Sequence, residues 1–248
     1  MKQRLWTYGV NPIVIPNGIP ARLLQPVGGD PGAVRSSFDG RLLLVKVARF
    51  DPDKRWLQAI HAVAGLKRDG LRPLLIARGG LEPHGHQVFW AARAAGLTVV
   101  DVHLPGPVTA EEVWKAMADT ARTAHADVLN IRFRIPEETL RLLYGAGDAV
   151  LANSGFEPFG LVGLEAMADR GIAFTGATGE DYARSYENAI CIETDDAREI
   201  AAALSQLRNA PDLADHLRAE GRKTAETYIW PQVIRALARR IENLAYQQ

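Results

Sequence analysis

The sequence predicts a three-layer α/β domain built on a mostly parallel sheet. Short apolar runs of strand length alternate with amphipathic stretches of helical period, and no repeat or low-complexity segment interrupts them. Of the 248 residues, 47% are hydrophobic and 23% charged, enough apolar matter for one large core or two small ones. Strands alternating with helices imply right-handed crossovers and a sheet covered on both faces. Ligands of such sheets sit beyond the carboxyl ends of the strands, where loops feed helix N-termini.

Strands are expected over 13–15, 41–47, 74–77, 98–102, 127–131, 149–152, 173–175 and 189–192. Lys2 to Tyr8 reads as the tail of a helix ended by Gly9, so residues 1–20 are expected to close a preceding domain and its linker, with 21–248 the domain proper. Gln25 to Asp39, with Pro26, Gly28, Gly29, Pro31 and Gly32, reads as a surface loop. After Arg49 a helix is expected with Asp51 as its cap and Pro52 at its first position, and with Trp56, Ile60, Val63 and Leu66 on one face; it stops at Gly70. Further helices are expected over 136–144, 159–168 and 197–207. From Asp212 the chain is helical, with Trp230, Val233, Ile234, Leu237, Ile241 and Leu244 at helical spacing.

Composition narrows the function. Lysine plus arginine (29) balances aspartate plus glutamate (29), so nothing in the net charge attracts nucleic acid, and any anion site must be local. The single cysteine, Cys191, rules out an internal disulfide and a cysteine-rich metal site, and reads as a small buried residue of a strand. No apolar run suits a signal peptide or reaches the roughly 18 residues of a membrane span. A cytoplasmic protein is expected, with contact to a membrane surface through one face left open.

The densest chemistry lies in Glu157-Pro158-Phe159-Gly160-Leu161-Val162-Gly163-Leu164-Glu165, which follows an expected strand and a turn. Two carboxylates flank a helix start there. Gly160 allows close approach of a ligand, and the free amides of Phe159, Gly160, Leu161 and Val162 suit an anion or a sugar hydroxyl. Glu165 sits among Leu164, Ala166 and Met167, where a carboxylate needs a polar partner such as the vicinal hydroxyls of a ribose. Spacing alone leaves this ligand-binding reading and a plainer one, a capping glutamate and a solvated one, equally open.

This stretch, continuing Ala166-Met167-Ala168, resembles the glutamate, seven residues, glutamate signature of retaining glycosyltransferases with two Rossmann-like domains (the GT-B fold), best fitting glycosyltransferase family 4. The resemblance implies that residues 21–248 form the C-terminal, nucleotide-sugar-binding half of that fold, including its crossover helix. It implies that Glu157 contacts the donor hexose, that Phe159, Gly160, Leu161 and Val162 cradle sugar and phosphate, and that Glu165 binds the ribose.

A second element, Val47-Ala48-Arg49-Phe50-Asp51-Pro52-Asp53-Lys54, puts two cations at a strand end and in the first turn of a helix. Arginine offers a fork for two phosphate oxygens and lysine a movable charge. The family has an arginine and a lysine at this spacing to clamp the diphosphate, which implies that role for Arg49 and Lys54. Ala48 and Arg55 stand where glycine is common. Thr178-Gly179 and Asn188-Ala189 stand where the family usually has a glycine pair and an asparagine-glycine pair, which are weakened matches that imply a place near the donor site for Thr178 and Gly179. Asp51-Pro52-Asp53 spells a metal-binding pattern of other glycosyltransferases, but Asp51 is explained as a cap and the cations already neutralise the diphosphate, so no metal and no cofactor are expected. His84 and His86 lack a third ligand at recognisable spacing. The stretch 80–125 matches the family poorly, with an apparent extra strand and helix of open role.

The resemblance thus implies metal-independent hexosyl transfer from a nucleoside diphosphate sugar, with an acceptor-binding domain or partner chain supplying the opposite wall of the cleft and the isolated chain inactive. The terminal helix, which in the family crosses onto the first domain, should have an apolar face free for self-association. Two other classes stay open: a non-catalytic nucleotide-sugar-binding subunit, and a sugar-nucleotide epimerase of the same fold.

Overall fold

The computed structural model describes residues 7–9, 15–104, 106, 108–157, 159–176 and 181–245. In chain order the elements begin with α1 (Pro31–Ser37), β1 (Leu42–Val47), α2 (Trp56–Arg68), β2 (Pro73–Arg78), α3 (His84–Ala94) and β3 (Val99–Val102). There follow α4 (Ala110–Thr123), β4 (Val128–Ile131), α5 (Glu137–Ala146), β5 (Ala149–Ala152), α6 (Leu161–Ala168) and β6 (Ala173–Gly176). The chain closes with β7 (Ile190–Ile192), α7 (Ala197–Asn209), α8 (Pro211–Thr227) and α9 (Trp230–Ala245). The expected strand over 13–15 lies mostly outside the described residues, as does the helix tail at Lys2 to Tyr8, and Ile15 belongs to no strand.

The strands form one seven-stranded sheet, ordered β3-β4-β2-β1-β5-β6-β7, and every pairing in it is parallel. Both faces are covered, as an all-parallel sheet requires. Leu43, Val45, Ile76, Leu129 and Val150 turn to the face packed by α1, α4, α5 and α6. Leu44, Leu75, Val128, Leu151 and Phe174 turn to the face packed by α2, α3 and α7. This is the Rossmann-like α/β architecture the alternating pattern predicts. The stretch 80–125, of open role in the sequence, supplies α3, the edge strand β3 and α4.

Several boundaries differ, each for a local reason. The expected loop over 25–39 contains α1: the Asp30 carboxylate caps it by accepting from the amides of Gly32 (2.8 Å) and Ala33 (3.1 Å), and Pro31 takes its first position. Asp51 is a cap, but of a single 3-10 turn, Pro52–Lys54. Arg55 then adopts a left-handed backbone (φ 48°, ψ 43°), and the long helix starts only at Trp56. That conformation favours glycine, which accounts for the residue common there in the family. The helix expected from Phe159 starts at Leu161, because Gly160 is still extended (φ −80°, ψ 106°). The terminal helical pattern divides into α8 and α9 at Tyr228 and Ile229. There Ile19 donates to the Tyr228 carbonyl (2.8 Å) and accepts from the Trp230 amide (3.0 Å). Cys191 is half-buried rather than buried, since β7 is an edge strand.

No helix among the described residues is long and apolar enough to cross a membrane. Along α9, Val233 is buried while Ile234 and Ile241 are 59% and 57% exposed.

At the opposite end of the sheet from the strand carboxyl ends, the buried Asp127 carboxylate accepts from Lys67 Nζ (2.7 Å) and from the Thr98 amide (2.8 Å). Asp127→Ala would orphan that amide and is expected to cost about 3 kcal/mol, with Asp127→Asn costing less because an acceptor remains. Urea denaturation of the two variants checks the order.

Candidate functional site

β1 and β5 are neighbours in the sheet, but the chain leaves their carboxyl ends on divergent paths. A parallel sheet opens a crevice at such a point. The loop after β1 carries Arg49 and Lys54, and the loop after β5 carries Glu157 and leads into α6.

The β1 loop is anchored by aromatic packing. Phe50 is buried against Trp56 (ring centroids 4.7 Å) and Phe89 (5.3 Å), and the Trp56 indole donates to the Arg49 carbonyl (2.8 Å). The Glu82 carboxylate accepts from the amides of Phe50 and Gly80, both at 3.0 Å, joining the loops after β1 and β2. The Phe50 amide, foremost among its contacts, holds the Glu82 carboxyl below the usual range. Arg49 is exposed and has no ion-pair partner among the described residues.

The two loops meet directly. Lys54 forms an ion pair with Glu157, each side chain about one-fifth exposed, and the Gly155 amide donates to the Asp53 carbonyl (2.7 Å). Arg55 pairs with Asp195 (2.7 Å), beyond β7. Gly160 precedes α6 with no side-chain cap, so the helix start keeps its donors. The Tyr182 hydroxyl donates to the Gly160 carbonyl (2.6 Å) and fixes this corner. A Cβ on Gly176 would overlap the Ser154 carbonyl, so β6 approaches the loop as only glycine allows.

Two cavities result, and Val47, Ala48 and Arg49 line both. The smaller, about 280 Å³, is also lined by Lys46, Lys54, Glu157, Phe159, Gly160, Leu161 and Val162. The larger, about 570 Å³, reaches over the ends of β2 and β4 and takes in Glu165, Tyr144, Arg22, Arg141 and Asp169. Glu165 has no hydrogen-bond partner among the described residues, and burial, assisted by Glu137 and Asp169, raises its carboxyl above the usual range. The neighbouring Tyr144 hydroxyl is buried without a hydrogen-bond partner among the described residues, and desolvation raises it too.

The structure thus brings Arg49, Lys54, Glu157 and the residues from Phe159 to Val162 to one cavity and Glu165 to the adjoining one. Thr178 and Gly179 lie outside the described residues. Asn188 is committed elsewhere: its amide donates to the Tyr182 carbonyl and Thr224 Oγ1, both at 2.8 Å, and it accepts from the Arg184 amide. Among the described residues no group of three or more His, Cys, Asp and Glu side chains is placed to hold a metal ion.

Lys46, Tyr144, Arg22 and Glu82 are not among the residues that the sequence picks out. A lysine inside the apolar run of β1 is a readable signal; the other three carry none, because each reaches the site from a separate element.

A family model described as "Glycosyl transferases group 1" matches residues 33–224. The chain belongs to this family. Solved group 1 and related structures show the same fold. The sucrose-phosphate synthase of Thermosynechococcus elongatus is 19% identical over all of the chain and 57% of its own length (TM-score 0.66). The C-terminal domain of LpcC, a glycosyl transferase group 1 protein of Francisella tularensis, is 19% identical over 85% of this chain and 97% of that one (TM-score 0.60). Anabaena HepE in complex with UDP-glucose is 16% identical over 93% and 57% respectively (TM-score 0.70). The chain therefore spans little more than half the length of the synthase and of HepE. No curated protein matches its sequence.

Lys46 gives the site a measurable signature. Burial, reinforced by Lys54 and Arg55, pushes its amine down to about 7, so between about 7 and the ordinary lysine range the folded protein favours the neutral amine while the unfolded chain keeps it protonated. Its contribution to stability is complete above the ordinary lysine range and is lost as the pH falls towards about 7. Urea unfolding across about pH 7.5 to 9.5 should show a wild-type slope steeper than that of Lys46→Met by up to about 1.4 kcal/mol per pH unit.

Proposed function

We propose that this chain is the donor half of a retaining, metal-independent glycosyltransferase, best fitting family 4, that binds a nucleoside diphosphate sugar for hexosyl transfer. The carrying observation is the pair of adjoining cavities sharing Arg49, one holding the unpartnered Glu165 and the other holding Lys54, Glu157 and an uncapped helix start. In this reading the larger cavity takes the nucleoside, with the Glu165 carboxylate accepting from the two ribose hydroxyls. The diphosphate lies between Arg49 and Lys54, and the hexose meets Glu157 and the amides from Phe159 to Val162. HepE, with the same fold, is solved with UDP-glucose, which supports a uridine donor as the first to test.

Chemically, such a site stabilises the charge that develops on the leaving diphosphate as the anomeric bond breaks. Fixed cations and helix amides do this without reorganising, and no side chain has to act as a strong base. Lys54 must exchange its Glu157 partner for phosphate, which frees the Glu157 carboxylate for sugar hydroxyls. The acceptor side of the cleft belongs to another domain or partner chain, so the isolated chain is expected to bind donor without transferring sugar. The exposed face of α9 suits that partner, or a second copy.

Calorimetric titration with a panel of nucleoside diphosphate sugars tests the reading, and a folded sample that binds none of them would sink it. Glu165→Ala should weaken binding of the free nucleoside diphosphate by about 10- to 100-fold, the scale of lost hydrogen bonds to a charged group. Glu157→Ala should spare the nucleotide and weaken discrimination among hexoses. The opposite pattern would reverse the two roles. Binding without transfer in the presence of an acceptor domain would favour a non-catalytic subunit.

A further inference from the structure

Among the described residues of β1, Lys46 is the one charged side chain, and it is 1% exposed. Its Nζ donates to the Leu151 carbonyl (3.1 Å) and to Asn153 Oδ1 (2.6 Å), and lies 5.2 Å from the centre of the Trp56 ring. The acceptor is held in place by a relay. Gln58 donates to the Thr194 carbonyl (2.8 Å), which turns its Oε1 to Asn153 Nδ2 (2.8 Å), and this in turn presents Asn153 Oδ1 to Lys46. Both amides are buried, at 5% and 0% exposure.

Two acceptors match the two N–H groups of a neutral amine. An ammonium has a third, to which the described residues offer no oxygen acceptor, only the face of the Trp56 ring. The charged groups around it add to the mismatch. Lys54 and Arg55 come from the turn before α2 and Arg49 from the end of β1, whereas the nearby carboxylates are engaged elsewhere, Glu157 with Lys54 and Asp195 with Arg55. No carboxylate touches Lys46 among the described residues. Yet Lys46 lines the same cavity of about 280 Å³ as Arg49, Lys54 and the start of α6.

We propose that Lys46 is a third cation of the donor site, protonated from solvent when the pyrophosphate of a nucleoside diphosphate sugar settles between Arg49 and Lys54, so that donor binding is coupled to pH. The proposal rests on the donor-site reading above. Burial and the two neighbouring cations hold the amine at about 7 before the donor arrives. A pyrophosphate reverses the local charge, supplies the missing acceptor and favours the ammonium. The proton comes from water or buffer and returns there on release, and no bond of the donor changes. The diphosphate left after transfer carries more charge than the donor, so the same ammonium favours the departing group.

The sign follows from linkage. If the donor raises the proton affinity of Lys46, protons raise the affinity for the donor. Binding is then tightest below about 7 and falls up to about tenfold per pH unit above it, until the pKa of the complex is reached. The diester pyrophosphate of UDP-glucose has no group that titrates in this range, and its uracil imide stays largely protonated at the test pH, so uptake approaching a whole proton must enter the protein.

The test is calorimetric titration of the full chain with UDP-glucose at about pH 8.5, in buffers of different ionisation enthalpy. Uptake approaching one proton per donor is expected for the wild type. Lys46→Arg, which keeps a permanent cation, should bind without uptake and without the pH slope. Lys46→Met should bind about tenfold or more weakly, also without uptake, and serves if arginine cannot be accommodated. Binding by the wild type without uptake, or uptake that persists in the variants, overturns the role of Lys46 and leaves the donor site standing. Failure of the wild type to bind UDP-glucose or any other nucleoside diphosphate sugar sinks the donor-site reading, and the proposal with it.

Discussion

The parallel pairing of β1 with β5 is the constraint on which the site depends. Because β1 continues through β2 to one half of the sheet and β5 through β6 to the other, the loops at their carboxyl ends part and leave a crevice. Three contacts keep that crevice narrow: the Lys54–Glu157 ion pair, the Gly155 amide on the Asp53 carbonyl, and the buried Lys46 amine on Leu151 and Asn153. Each joins the β1 side to the β5 side. A change in β1–β5 register would therefore move two walls of the site at once.

Charge around the crevice is managed locally, in a chain whose net charge is zero. Arg49, Lys54, Arg55 and Lys46 cluster at one strand end, and each is stabilised differently. Lys54 and Arg55 have carboxylate partners, Arg49 stays in water, and burial lowers the Lys46 amine to about 7. The Lys54–Glu157 pair is only about one-fifth exposed, so Lys54 can leave Glu157 at small cost only where another anion takes its place. A buried ammonium is another matter, since its desolvation is large unless a counter-charge is supplied. The same chemistry operates with opposite sign in the larger cavity, where Glu165 and Asp169 lie close together and burial raises both carboxyls, Asp169 to about 6.

The chain spans little more than half the length of two structural neighbours and matches nearly all of a third, which was solved as an isolated C-terminal domain. That setting gives meaning to two surfaces. The carboxyl end of the sheet holds both cavities open to solvent on one side, and α9 presents Ile234 and Ile241 outward along its length. Exposed apolar side chains along one helix make α9 the surface on which to look for the partner proposed above.

The sequence by itself determined the layer architecture and the motif that marks the family. Strands buried on both faces read as continuous apolar runs, and the Glu157 to Glu165 signature is contiguous, so both are local properties of the chain. It was less informative wherever two local signals competed. The glycines and prolines of 25–39 concealed α1, and a capping aspartate with a following proline suggested a long helix where Arg55, in a left-handed backbone, first redirects the chain. Only the tertiary structure decided that Lys54 and Glu157 pair, that Glu165 lies beside Tyr144 without a partner, and that Lys46 sits under the same cavity as Arg49. The Lys54–Glu157 pair and the Lys46–Asn153 contact join residues 103 and 107 positions apart, and Tyr144 and Glu165 come from different helices, all in elements brought together by strand order and register, which no single stretch of sequence encodes.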